Sequence, residues 1–324
     1  MIAIKTLLID SYRLLKARVL FWITLGISVF VGFLYLSIGF DDSGMTLFFG
    51  LTGFEHEQLR KGSAVAEIFY IGIFTKFIVP IWLTWIAVIL GLISTASVFP
   101  DFMSTGSIEV ALSKPTRRLT VFLTKYVGSL LFMLLQVGLF ALLVFFALKW
   151  RIGTWNLSVF WVVPLATLVF SYLYAVVVVV GVKTKSTLAG VLAAMAVWFG
   201  SFIMNTVEES LYSFAHTEAG SYDVEMQEIL KPWYDRALVM YAILPKTKQT
   251  MEFGDRLIDV QGEQGFSTES FLDVLFAGSN LGVETQGTDQ VVSRNSGWYI
   301  IGTSLAFEAV LLALAAWSFC RRDF

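Results

Sequence analysis

A chain of 324 residues that is 56% hydrophobic and only 15% charged, with mean hydropathy +0.73, departs from the roughly 45–50% apolar and about 25% charged make-up of soluble domains. That surplus is too large for one or two soluble domains to bury and too apolar for a disordered chain. A net charge of −2 gives no overall basic signature for nucleic acid, and one cysteine (Cys320) with two histidines (His56, His216) leaves no disulfide framework and little for a metal cluster.

A polytopic membrane protein remains, and the elements follow in chain order. Met1 to Arg18 places Ile4, Leu7, Leu8, Tyr12, Leu15 and Val19 on one helical face, with Lys5, Asp10, Arg13 and Lys16 turned away. This predicts an amphipathic helix lying on the membrane surface, its cations near anionic lipid headgroups. Six runs then reach the ~20 residues a helix needs to cross hydrocarbon: Val19–Phe40, Phe77–Phe99, Tyr126–Leu148, Leu157–Val182, Thr187–Asn205 and Gly297–Cys320. Five carry no charge and the sixth carries Glu308 alone. Continuous apolar runs are helical; a barrel would show alternating segments of about ten residues. The first run exceeds the roughly 7–15 residues of a signal-peptide core, and no convincing cleavage site follows it, so it is read as a retained span.

Between the spans, Asp41–Lys76 is an acidic loop whose second half, Ala64–Phe74, is apolar enough to lie at the interface. Lys149–Asn156 is a tight turn. Asn156-Leu157-Ser158 matches a glycosylation acceptor but sits too close to the membrane to serve as one. Trp150, Trp155 and Trp298 fall at one boundary and Trp22 and Trp317 at the other, as an aromatic belt requires. Thr206–Ser296, with fifteen acids and six cations, is the largest piece outside the spans. Within it Met226, Leu230, Trp233, Ala237, Tyr241 and Leu244 recur at helical spacing, interrupted by Pro232 and ended by Pro245, predicting an amphipathic helix on the bilayer or on a partner. A second helical stretch is expected around Phe271–Phe276.

Orientation follows from cations in short loops. With both termini cytoplasmic, the inner segments hold twelve Lys and Arg against four acids, and the rest of the chain holds eleven against twenty-one. The near-zero net charge therefore hides a basic-inside, acidic-outside asymmetry.

Within the spans, Gln136 is central in the third and Glu308 in the sixth. Ionisable groups in hydrocarbon are costly and face a cavity or a partner, so each reads either as part of a path or gate or as interhelical hydrogen bonding. Pro80 and Pro164 can kink spans two and four. Gly190 with Ala194, and Gly302 with Ala306, offer small faces for close helix packing. No Gly-x-x-x-x-Gly-Lys-[Ser/Thr] string occurs; Gly181–Thr187 (GVKTKST) lacks the second glycine and reads as a short basic loop, so the chain has no ATP site of that kind, and no cofactor is expected. Glu55, His56 and Glu57 are adjacent and poorly placed to share one ion.

The connection between spans two and three, Pro100–Tyr126, is the most patterned segment. Gly106-Ser107-Ile108-Glu109, Leu112-Ser113-Lys114-Pro115, Arg117-Arg118 and then Lys125 resemble the cytoplasmic loop of ABC type-2 permeases, most of all those of multicopper-enzyme maturation systems. The resemblance covers nearly the whole chain: surface helix (1–18), five spans (19–205) with the loop at 100–125, a large outer loop (206–296), and a sixth span with a short tail (297–324). It implies an all-α membrane subunit of a bacterial inner-membrane transporter, without an ATP site of its own. It also implies a second permease copy, identical or related, and a separate ATP-binding subunit. Residues Gly106, Ile108, Glu109, Leu112, Ser113, Pro115, Arg117 and Arg118 would form the ATPase-coupling segment. The outer loop has no cysteine and no methionine or histidine cluster, so copper as cargo is not implied. Two other readings stay open: a secondary transporter, which would need more intramembrane ionisable groups and internal repeats, and a membrane scaffold or sensor.

Overall fold

The computed structural model describes residues 19–55, 59–103, 117–216, 224–255, 257–260, 263–264 and 295–322. The expected surface helix at 1–18, the heart of the coupling segment at 104–116 and the stretch around Phe271–Phe276 lie outside the described residues. Among the described residues six helical stretches are long and apolar enough to cross a membrane.

Span one is α1 (Val19–Ser37). Its buried positions Phe21, Thr24, Ser28, Gly32 and Tyr35 recur every three or four residues and are mostly small or polar, whereas Val29, Phe30 and Phe33 are exposed. This inversion of the soluble pattern suits lipid as solvent, where small residues let helices approach and apolar bulk faces the acyl chains. A Cβ on Gly32 would lie 3.1 Å from Leu143 of span three.

After α1 the chain forms an antiparallel sheet of β1 (Gly39–Asp41), β2 (Gly44–Leu47) and β3 (Thr52–Glu55), with Phe40 opposite Met45 and Met45 opposite Phe54. Asp42 and Ser43 turn the first hairpin, a composition suited to tight turns. At the second, Phe48 and Phe49 both take positive φ (51° and 60°) before Gly50 at 97°. Such short strands carry too few alternating positions to register as a sequence pattern.

Span two runs from Ala64 to Phe102: α2 (Ala64–Ile73), a π-helical run (Phe74–Ala87), α3 (Val88–Thr95) and α4 (Val98–Phe102). The interfacial piece expected at Ala64–Phe74 is instead the start of this helix, launched by the Ser63 hydroxyl accepting from the Ala66 amide at 3.1 Å. Thirty-nine residues at 1.5 Å each exceed the ~30 Å hydrocarbon layer, so the helix extends past it. Pro80 lies inside the π-helical run, where its missing N–H disturbs the regular ladder. Thr84 donates its hydroxyl to the Val79 carbonyl at 3.0 Å.

Span three is α5 (Arg118–Arg151). The tight turn after it closes with Gly153 at φ 88° and with Asn156 capping the Ser158 amide at 3.0 Å. A 3₁₀ turn (Leu157–Trp161) leads into span four, α6 (Val162–Thr184), which packs against α3, α5 and later helices and is the most buried of the six. Pro164 falls in the first turn of α6, where a missing N–H costs nothing, so the expected kink there has no cause. Lys185 takes a left-handed conformation (φ 57°) and turns the chain into α7 (Thr187–His216), the fifth span. Of the basic loop read at Gly181–Thr187, Gly181–Thr184 are instead the last turn of α6, and only Lys185 and Ser186 lie between the helices.

The helix predicted over Met226–Leu244 is α8 (Val224–Ile243). Tyr234, Ala237 and Tyr241 form a buried face, with Tyr234 packing on Tyr212 of α7 at 5.9 Å, while Ile229, Trp233, Met240 and Ile243 remain exposed. The helix thus rests first on the extension of span five. Helix α9 (Thr247–Asp255) tucks between α6, α7, the π-helical run and α10 (Gly297–Cys320), the sixth span; β4 (Asp259–Val260) and β5 (Glu263–Gln264) form a small hairpin. The sheet, α8 and α9 mark one end of the bundle, here the sheet end; Phe102, Arg117, Thr184 and Cys320 mark the other, the tail end.

The two small-residue faces diverge. A Cβ on Gly190 would stand 3.0 Å from the Val177 carbonyl, so α7 and α6 touch backbone to backbone there, whereas Gly302 has nothing within 4 Å. Gly190→Leu is expected to cost about 1–3 kcal/mol, the range for overpacking, while Gly302→Leu leaves thermal unfolding in detergent nearly unchanged; equal shifts would contradict this packing.

Candidate functional site

At the tail end, Arg117 is the last residue before α5, with extended backbone and an exposed side chain. Arg118, the first residue of α5, turns inward: its Nη1 donates to the Cys320 carbonyl at 3.1 Å and the Arg322 carbonyl at 2.8 Å. Arg322 in turn donates to the Val182 carbonyl near the end of α6. Helix C-termini leave carbonyls without intrahelical partners, and guanidinium groups satisfy them with charge-assisted bonds. The two arginines therefore latch the start of span three to the ends of spans six and four. Lys125, about two turns further in, is buried with Nζ 5.3 Å from the Phe102 ring centre at the end of span two. Gly106, Ile108, Glu109, Leu112, Ser113 and Pro115 lie outside the described residues; Arg117 and Arg118, from the same segment, occupy different environments.

Within the bundle, Glu308 of α10 is buried and accepts two hydroxyl bonds. Tyr126 of α5 donates to Oε1 at 2.7 Å and Ser171 of α6 to Oε2 at 2.7 Å. Each hydroxyl also has a carbonyl within reach, Ser171 O at 3.2 Å for Tyr126 and Leu168 O at 2.8 Å for Ser171. Tyr126 stacks on Tyr174, whose hydroxyl meets Ser129 at 2.8 Å and reaches towards the Thr95 carbonyl of α3 at 3.5 Å. A polar thread thus joins spans two, three, four and six. Gln136 has no place in it: its amide is buried, and among the described residues neither polar atom has a partner. The partners of Glu308 escape a reading that scans for charge, because a tyrosine and a serine are ordinary in apolar runs; hydroxyls one span away are the available signal.

At the sheet end a cavity of about 170 Å³ opens between the π-helical run, α7 and α9, lined by Pro80, Trp85, Trp198, Phe202, Met251 and the stem of Lys248 among others. Trp85 stacks on Trp198 at 4.6 Å and 18°. At its rim Lys248 pairs with Glu209 at 2.6 Å and Glu252 at 3.6 Å. Burial acts to lower the Lys248 pKa, but the Glu252 and Glu209 carboxylates outweigh it and leave the pKa raised. Among the described residues no three His, Cys, Asp or Glu side chains converge as a metal site needs.

Beside that rim Lys246 is fully buried, with its Nζ donating to the Tyr241 carbonyl at 3.2 Å and lying 4.5 Å and 5.1 Å from the ring centres of Tyr241 and Tyr299. Burial pushes its pKa down to about 8, against a smaller upward pull from Glu208. A lysine depressed in the folded state binds fewer protons there than when unfolded, so stability rises with pH between about 8 and the ordinary value near 10.4. The gain is expected to be on the order of 2–3 kcal/mol across that window. Thermal unfolding of Lys246→Met beside the parent protein checks it: the rise between pH 8 and pH 10 should vanish in the variant.

No curated protein matches the chain. A family model described as ABC-2 family transporter protein matches residues 17–324, which takes in all six spans, the tail-end latch and the Glu308 cluster, and the chain therefore belongs to the ABC-2 transporter family, as a membrane-spanning subunit of an ABC transporter.

Proposed function

We propose that this subunit is driven by a separately encoded ATP-binding protein that docks on residues 100–125, and that two permease copies together form the path for a substrate. Both termini and the tail end of the bundle face the cytoplasm, in a bacterial inner membrane, and residues 206–296 face outward. The family match supports the partnership with an ATP-binding subunit. The observation that carries the reading is the latch. The residue that ends the coupling segment and begins span three, Arg118, holds the terminal carbonyls of span six, and Arg322 carries the link to span four. A push on 100–117 by closing ATPase subunits is thereby delivered to three spans at once. Exposed Arg117, together with Glu109 earlier in the segment, supplies the contact with the partner.

Co-purification from native membranes tests this. A stoichiometric ATPase should accompany the parent chain, and Arg117→Ala or Glu109→Ala should lose it or separate its ATP hydrolysis from the permease. An intact complex with unchanged ATPase activity in both variants would reject docking at this segment, and the absence of any ATPase would reject the reading as a whole.

A further inference from the structure

We propose that the tail end of each subunit carries a binding site for the phosphodiester headgroup of an anionic phospholipid, between the last turns of spans four and six. A cup of about 310 Å³ lies there, lined by Lys183, Trp317, Ser318, Arg321 and Arg322. Three of its five lining side chains are cationic and none is acidic. Among the described residues, neither Lys183 nor Arg321 has a carboxylate within ion-pair distance. The ends of two helices would by themselves repel an anion, because their last carbonyls carry partial negative charge. Here several of those carbonyls are occupied: Arg322 covers Val182 O, Arg118 covers Cys320 O, and backbone amides cover Gly181 O, Trp317 O and Phe319 O. With part of the carbonyl charge offset, three cationic side chains and no acidic one leave the cup net positive. Basic pockets between membrane helices at a headgroup boundary are suited to lipid phosphates, since guanidinium and ammonium groups donate directly to the phosphate oxygens.

The surroundings of the cup favour a lipid over a soluble anion or an acidic protein loop. Trp317 is 59% exposed, with the Arg321 guanidinium 4.6 Å above its ring, an arrangement that places the pair at the boundary between hydrocarbon and headgroups. Below it on the same face of α10, at i−3 and i−7, Leu314 and Val310 are exposed. A phosphate seated in the cup would lay its acyl chains along that stripe. A free phosphate or a peptide carboxylate would use the cup and leave the stripe unused.

Native mass spectrometry of the full chain in detergent, titrated with phosphatidylglycerol or phosphatidylcholine, tests the site. Phosphatidylglycerol should be retained at least tenfold more tightly than phosphatidylcholine. Lys183→Gln/Arg321→Gln should erase most of that preference, whereas Lys61→Gln, an exposed cation at the sheet end, should not. Excess inorganic phosphate should fail to displace the lipid. A second measurement needs no change to the cations: phosphatidylglycerol with brominated acyl chains should quench tryptophan fluorescence more than brominated phosphatidylcholine, and the excess should disappear in Trp317→Phe. Equal retention of the two lipids, an undiminished preference in the double variant, displacement by inorganic phosphate, or quenching insensitive to Trp317 would each overturn the proposal.

Discussion

Replacing Arg118 with alanine is expected to raise the reactivity of the chain's single thiol, Cys320, which is already partly exposed, towards a membrane-permeable maleimide severalfold, with roughly thirtyfold as the ceiling. Cys320 is the last residue of α10, and its carbonyl is one of two that Arg118 holds from the first turn of α5. Hydrogen bonds from a charged donor are worth about 1.5–3 kcal/mol each when buried. Arg118 is half-buried, so the pair is better placed near 2 kcal/mol in total, about thirtyfold in the local opening equilibrium. Without it the end of α10 frays and the thiol spends more time exposed. Arg117→Ala is the control, because that side chain is exposed and should leave the resting rate unchanged. The same thiol reports on coupling. If the latch transmits the stroke of an ATP-binding partner, adding that partner with a non-hydrolysable ATP analogue should change Cys320 labelling in the parent chain and not in Arg118→Ala. An Arg118→Ala chain whose resting rate equals the parent's would mean the latch does not hold the helix end.

Much of this fold is written in the sequence because the bilayer is a demanding solvent. Six apolar runs of adequate length, separated by charged or turn-forming segments, leave little freedom in number or type of element. The ends of the elements are less legible. Span two begins at Ala64, well before the charge-free run that marks it, because the helix runs on through Glu67 and Lys76. A scan for uncharged windows stops at such residues by construction. The sheet of residues 39–55 is invisible for a different reason: it is held by backbone pairing and two tight turns, neither of which needs a hydrophobic period. The packing role of Gly190 and the idleness of Gly302 share one motif and differ only in whether a neighbouring helix arrives, which is a property of the tertiary structure.

The candidate residues divide along the same line. A pattern in sequence can mark Arg117 and Arg118 as a pair of cations at a membrane boundary. It cannot tell that one points out and the other reaches more than two hundred residues along the chain to a helix end. Likewise Glu308 and Gln136 look equivalent as lone polar groups in apolar spans. In the structure Glu308 has two hydroxyl donors from two other helices, and Gln136 has no partner for either amide atom among the described residues.

That arrangement around Glu308 makes a sharper expectation than its burial alone. Removing the carboxyl and removing its donors should have unequal costs. In Glu308→Leu the two hydroxyls keep other acceptors, since Tyr126 can donate to Ser171 O and Ser171 to Leu168 O. Replacing a buried polar group and its requirements with apolar bulk is often neutral, so a change within about 1 kcal/mol is expected. Tyr126→Phe/Ser171→Ala instead leaves the Glu308 carboxyl buried without its two donors, and stranding such a group costs about 3 kcal/mol or more. Adding Glu308→Leu to that double variant should recover most of the loss. Thermal unfolding in detergent of the four proteins closes the cycle, and a double variant no less stable than Glu308→Leu would refute it. The comparison also separates scaffold from mechanism. If Glu308 only ties helices together, the stable Glu308→Leu chain should support partner-driven ATP hydrolysis at the parent rate. If the carboxyl lies on the path of the substrate or of the conformational switch, hydrolysis or its coupling falls in a chain whose stability has not moved.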